Sequence, residues 1–116
     1  LADEAVWRLR NMRGDGTTSR IMVLDTVALL DRRCTRAGLP RPRHITPARW
    51  LDIIQQRIAA AATAVIPTTH ARAFIQIADV ALYGPPGSER LPTSSVTTAP
   101  AVWSWRHLTA ARRLTA

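Results

Sequence analysis

The strongest constraint in this chain is a turn that no helix can cross. Gly38-Leu39-Pro40-Arg41-Pro42-Arg43-His44-Ile45 sets two prolines close together; each lacks the amide a helix needs and clashes with the carbonyl one turn back. Apolar residues step at helical spacing on either side. Val23, Val27, Leu30, Cys34 and Ala37 fall on one stripe before the turn, and Leu51, Ile54, Ile58, Ala61 and Val65 on another after it. Two stripes joined by a short stiff connection face each other most simply as an antiparallel helical pair. The fold class that follows is all-α, a small bundle of three to five helices around that pair.

Local signals place the helix ends. Thr17, Thr18 and Ser19 offer cap oxygens to the first long helix, whose polar side carries Asp25, Arg32 and Arg36. Gly38 stands where a glycine in the left-handed conformation closes a helix. Thr46 is a good N-cap, and Pro47 suits the first helical position. A capping box would want an acceptor at Arg49, which arginine cannot supply. That helix runs into the alanine-rich 59–64 stretch, where another helix can approach closely, and fails before Pro67. Thr68 and Thr69 can cap a third helix with a core face of Ala71, Phe74, Ile75, Ala78, Ala81 and Leu82, stopped by Gly84-Pro85-Pro86-Gly87.

The flanks are less regular. Leu1, Ala5, Leu9 and Met12 form a short helical stripe that leaves Trp7 to one side, and Arg13-Gly14-Asp15-Gly16 reads as a plain turn rather than an adhesion motif. A last helix starts near Pro100 and carries Trp103, Trp105, Leu108 and Leu114. The organisation is thus an N-terminal helix and turn over 1–16, a candidate juxtamembrane segment, and a helical core domain over 17–87. A Ser/Thr/Pro-rich connector over 88–99 leads to a C-terminal helix over 100–116. Trp50, Trp103 and Trp105 read as packing residues that tie the last helix to the pair; the sharper alternative is an exposed aromatic patch for a partner.

Composition bounds function more than it names it. The formal charge is +8, and all 16 basic residues are arginine. Such a surface suits an acidic protein, an anionic membrane surface or, ranked behind these, nucleic acid; the plainer alternative is a solvated helical surface with no charged partner. The cluster Arg32, Arg33, Arg36, Arg41 and Arg43 is the best candidate contact for an anionic partner, because a helix end and a stiff turn can present several guanidinium groups on one edge. A helix-turn-helix reading fits poorly: the connector is long, and only Gln55 and Gln56 could read bases from the second helix.

Catalysis and metal binding have weak support. Cys34 is the single cysteine, which excludes an internal disulfide, and it lies on a core stripe where a thiol is an inert small hydrophobe. His44, His70 and His107 share no metal-ligand spacing with it or with each other. No cofactor loop is present, and no apolar run reaches the roughly 18 residues of a membrane span. The expectation is a chain that is not an enzyme and holds no metal or cofactor.

Leu30…Ala37-Gly38-Leu39-Pro40-Arg41…Thr46-Pro47…Trp50-Leu51, followed much later by Tyr83-Gly84, resembles an uncharacterised helical domain at the C-terminus of bacterial transglutaminase-like membrane proteins. The pattern in that family is a helix ending in Gly-x-Pro-Arg, a Thr-Pro helix start, and a later helix closing on an aromatic-Gly pair. Here its signature residues are Gly38, Pro40, Thr46, Pro47, Trp50, Tyr83 and Gly84. Arg49 departs from it, standing where the family usually has Glu. The resemblance spans about Arg20 to Gly84. It implies a non-catalytic accessory module on the cytoplasmic side of a membrane, with any transglutaminase-like or protease-like domain elsewhere in the parent protein. Arg8, Arg10, Arg13 and Arg20 would then be juxtamembrane by the positive-inside bias. The chain opens on Leu1 and so reads as an excised domain, with the parent or another protein as its partner. The alternative is a stand-alone basic helical protein that binds nucleic acid through phosphate contacts.

One stability effect follows from the sequence alone. Thr46→Ala removes the cap of the second core helix and is expected to cost about 1 kcal/mol, read as a lower denaturant midpoint at unchanged slope.

Overall fold

The computed structural model describes residues 5–8, 19–61, 68–85, 91–92 and 94–115. Five helices account for most of them: α1 (Ser19–Arg36), α2 (Pro47–Ala61), α3 (Thr68–Tyr83), α4 (Ala99–Val102) and α5 (Trp105–Thr115). No strand occurs among the described residues, so the molecule is an all-α bundle. Residues 5–8 form a further helical segment against α1.

Most positions of the expected stripes form the core, with Ala61, Ile75 and Leu82 only half-buried. Val23, Val27, Leu30, Cys34 and Ala37 are buried on α1 and just past it, Leu51, Ile54 and Ile58 on α2, and Ala71, Phe74, Ala78 and Ala81 on α3. Burying a side chain the size of Leu, Ile or Phe contributes about 1.5–3 kcal/mol. The packing partners differ from the simple pair. α2 meets α1, yet it packs more extensively against α5 and α3. The fully buried Ala48, Ala71, Ala78, Ala81 and Ala111 supply the small residues that let helices close up. Ala59 and Ala60 do not, since both are exposed. Val65, Pro67 and Ala62–Ala64 lie outside the described residues.

The helix ends follow their chemistry. α1 closes in a Schellman arrangement: Leu39 N–H donates to Cys34 O at 2.8 Å, Gly38 N–H donates to Thr35 O at 3.1 Å, and Gly38 has φ 84°. Leu39 and Cys34, which this motif brings together, are both buried. Thr46 caps α2, its Oγ1 accepting from Arg49 N–H at 3.3 Å, and the Arg49 side chain pairs with Asp52 at 3.1 Å. α3 ends at Tyr83, and Gly84 N–H donates to Val80 O at 2.7 Å. A Cβ on Gly84 would run into that same carbonyl, so the residue after Tyr83 has to be glycine for this closure.

Two features depart from the sequence pattern. At the N-terminal flank the buried residue is Trp7, while Ala5 is exposed; Leu1, Leu9, Met12 and the Arg13–Gly16 turn lie outside the described residues. Trp7 is held by a polar contact that periodicity does not register. Its Nε1–H donates to Thr26 Oγ1 at 2.7 Å, and the fully buried Thr26 hydroxyl donates onward to Met22 O at 2.8 Å. The second departure is a break in the C-terminal helix. α4 ends at Trp103, whose ψ of 51° leaves the helix, and Ser104 starts α5 with its Oγ accepting from His107 N–H at 3.2 Å. The connector packs as well: Ser95, Val96 and Ala99 are buried, and Leu91 N–H donates to Ser19 Oγ at 2.6 Å.

The Gly38 closure carries a second demand, because a Cβ there would lie 2.6 Å from Arg112 Nε. Gly38→Ala is expected to cost about 1 kcal/mol or more from backbone strain alone. Combining it with Arg112→Ala should recover only the steric share, since the guanidinium is flexible and the left-handed backbone remains. Full recovery in a denaturant series on the double variant would place the cost in the clash instead.

Candidate functional site

The five arginines of the candidate cluster divide into two groups. Arg33 and Arg41 serve the fold. Arg33 Nη1 donates to Pro100 O at 2.9 Å and to Trp103 O at 3.1 Å, capping the carbonyl end of α4. Arg41 Nη1 donates to Ile45 O at 2.7 Å, and its Nε reaches Asp31 Oδ1 at 3.3 Å, so the proline turn is braced back onto α1. Arg32, Arg36 and Arg43 are exposed. Arg32 and Arg36 stand one turn apart in the last turns of α1, and Arg43 is carried by the rigid turn that follows.

Two further arginines approach the Gly38–Leu39 turn from other elements of the fold. The Arg112 guanidinium of α5 lies against Gly38, and Arg57 of α2 stacks over the Trp50 ring at 5.5 Å from its centroid. Trp50 is itself fixed to the turn, its Nε1–H donating to Leu39 O at 3.2 Å. In this region Asp31 pairs with Arg41, and Asp52 with Arg49. The result is a strongly basic edge set on a turn whose backbone cannot easily move. Neither Arg57 nor Arg112 could be assigned here from sequence, because no local pattern brings α2 and α5 to the Gly38 turn.

The remaining signature and juxtamembrane residues have separate places. Pro40 and Tyr83 are exposed, the latter at 58%. Arg8 is exposed, Arg20 Nε donates to Ala81 O at 3.0 Å in the last turn of α3, and Arg10 and Arg13 lie outside the described residues. Gln55 is buried, leaving Gln56 as the exposed glutamine of α2. A helix whose candidate base-reading residue points into the core is poorly made for a DNA groove. Among the described residues no helix is long and apolar enough to cross a membrane.

Cys34 is completely buried, and burial, followed by the nearby Asp31 charge, pushes its thiol up from 9.0 to about 12, with Arg33 opposing. Nucleophilic chemistry needs the thiolate, which this environment disfavours. His44 and His70 are exposed, and His107 Nδ1 lies 3.0 Å from Val102 O. Among the described residues no group of His, Cys, Asp and Glu is arranged to hold a metal ion. Comparisons with protein-family models, curated proteins and solved structures yield no match to the chain.

The raised thiol pKa has a defined sign. The unfolded chain loses the Cys34 proton near 9.0 and the folded chain near 12, so the contribution is complete below pH 9 and is lost as pH rises toward 12. Cys34→Ala should flatten that alkaline decline in denaturant midpoints. In the native protein a thiol reagent should label Cys34 slowly at neutral pH, and quickly once the chain is denatured; fast native labelling would contradict the buried, protonated thiol.

Proposed function

We propose that this chain is a non-catalytic interaction module whose working surface is the arginine edge formed by Arg32, Arg36 and Arg43. In line with the resemblance carried by the Gly38 turn and the Thr46-Pro47 helix start, we place it as the cytoplasmic C-terminal domain of a membrane-anchored transglutaminase-like protein. The observation that carries the reading is a division of labour among polar groups. The thiol is sealed in the core, Arg33 and Trp50 hydrogen-bond the carbonyls of a helix end and a turn, and Arg32, Arg36 and Arg43 are exposed at the end of α1 and on the turn that follows it. An edge of that kind suits an acidic segment of the parent or of another protein, because guanidinium groups pair with carboxylates in a fixed fork.

Nucleic acid is the second reading, favoured by the net charge of +8. Contacts through phosphates alone would give binding that ignores sequence and weakens steeply with salt.

Two measurements test these readings. The coding sequence immediately upstream of Leu1 should encode a hydrophobic span; a short soluble leader with its own start codon there would count against the membrane-anchored placing. Duplex DNA should bind weakly, and Arg32→Glu/Arg36→Glu/Arg43→Glu should lower the slope of log affinity against log salt by about one for each phosphate no longer neutralised. Tight binding of a single preferred sequence at physiological salt would overturn the interaction-module reading in favour of a specific DNA-binding protein.

A further inference from the structure

The outer side of α5 carries residues that the fold does not explain. At about 100° per residue, Trp105, Arg106, Thr109 and Arg113 fall on one side of the helix, turned away from the buried Leu108 and Ala111. Trp105 is 54% exposed, whereas Trp7, Trp50 and Trp103 are buried. Leaving the largest apolar side chain half in water gains the core nothing. Arg106 is equally unexplained. Arg112 and Arg113 sit in the last turn, where cations complement the helix end, but Arg106 stands in the first turn, where a cation is electrostatically unfavourable and an acid would be preferred. α5 contains no acidic residue at all.

We infer that this face of α5 docks on an anionic phospholipid surface, with the Trp105 indole at the headgroup level and Arg106 and Arg113 on the lipid phosphates. An indole has an apolar body and a polar N–H, and it concentrates at the boundary between hydrocarbon and water. Arginines beside it meet the phosphate oxygens and the negative surface potential of an acidic leaflet. The face is continuous with the arginine edge, because Arg112 reaches across to Gly38. Lipid fits better than a nucleic-acid strand. A stacking surface for bases sets aromatic rings in series, but α5 displays a single ring, and the other exposed aromatic, Tyr83, closes α3. The inference rests on the proposed function in one respect, the placing of the module beside a membrane.

The test uses the chain with vesicles rich in phosphatidylglycerol and, in parallel, vesicles of phosphatidylcholine alone. Binding is expected to the first and not to the second, with a blue shift of tryptophan emission and quenching by brominated acyl chains. Trp105→Phe should abolish both optical signals. Each arginine is worth about fivefold at an acidic leaflet, so Arg106→Glu/Arg113→Glu should weaken binding at least about 25-fold. Both pairs of substituted residues are exposed, and an unchanged thermal melt checks that the fold is intact. Arg36→Glu/Arg43→Glu separates the two readings. Loss of vesicle binding in that variant, with the α5 variants unaffected, overturns the inference and leaves the turn edge as the interaction surface. Loss confined to the α5 variants supports the inference and tells against the turn edge. Absence of binding to both vesicle types, an emission shift that survives Trp105→Phe, or tighter binding to a single-stranded oligonucleotide that quenches Trp105 would each overturn it.

Discussion

The structure depends on where one indole sits. Trp103 is completely buried, its Nε1–H donates to Leu51 O at 3.1 Å, and its ring meets Phe74 at 5.7 Å in a tilted arrangement. Its own carbonyl accepts from Arg33 at 3.1 Å. A single residue from the C-terminal part thereby touches α2, α3 and α1 at once. Losing a buried ring of this size costs about 3–5 kcal/mol, against a total stability of about 5–15 kcal/mol for an ordinary domain. The geometry of α4 and α5 follows from it. To drop the indole between α2 and α3 the backbone leaves the helix at Trp103, and Ser104 must then begin a new one.

The same residue explains part of the arginine content. Ending α4 inside the bundle strands carbonyls that would otherwise need water, and Arg33 satisfies Pro100 O and Trp103 O together. Arg20 does comparable work at Ala81 O, and Arg41 at Ile45 O. A lysine ammonium is a compact point charge on a flexible stem, while a planar fork holds its donors in fixed directions. Bonds from charged donors contribute about 1.5–3 kcal/mol where they are well shielded, and less where the side chain is partly in solvent. A chain can therefore carry a high formal charge while part of that charge closes helices rather than awaiting a partner.

How far the sequence speaks depends on the range of the interaction. Gly38, Thr46, Pro47 and Gly84 were legible because caps and turns are settled within a few residues. The stripes through Val23–Ala37, Leu51–Ile58 and Ala71–Ala81 were legible because helical periodicity is local too. The burial of Trp7 was not, since it is decided by a hydroxyl on Thr26. That signal was present in weak form: a threonine between Val23 and Leu30 on a core stripe calls for a polar partner. The break at Trp103 and the role of Arg33 depend on contacts 67 to 70 residues apart, beyond any periodic pattern. Of the candidate cluster, Arg32, Arg36 and Arg43 keep the exposed position that sequence suggests, whereas Arg33 is claimed by distant carbonyls of α4 and Arg41 by Ile45 O in its own turn and by Asp31. Arg57 and Arg112 enter only once the fold is known.

That partition gives a physical criterion for telling working arginines from structural ones. A structural arginine sits where electrostatics favours it, at a helix C-terminus or on an orphan carbonyl, as Arg20, Arg33 and Arg41 do. A surface arginine in a late helical turn, such as Arg36 or Arg113, is ambiguous, because complementing the helix end already accounts for it. Arg106 meets neither condition. It occupies the first turn of α5, where a cation is unfavourable, beside a Trp105 that leaves about half of its surface in water. Local choices that oppose the fold are expected where a second requirement acts on the same residues. On this molecule the two that oppose it most clearly are neighbours.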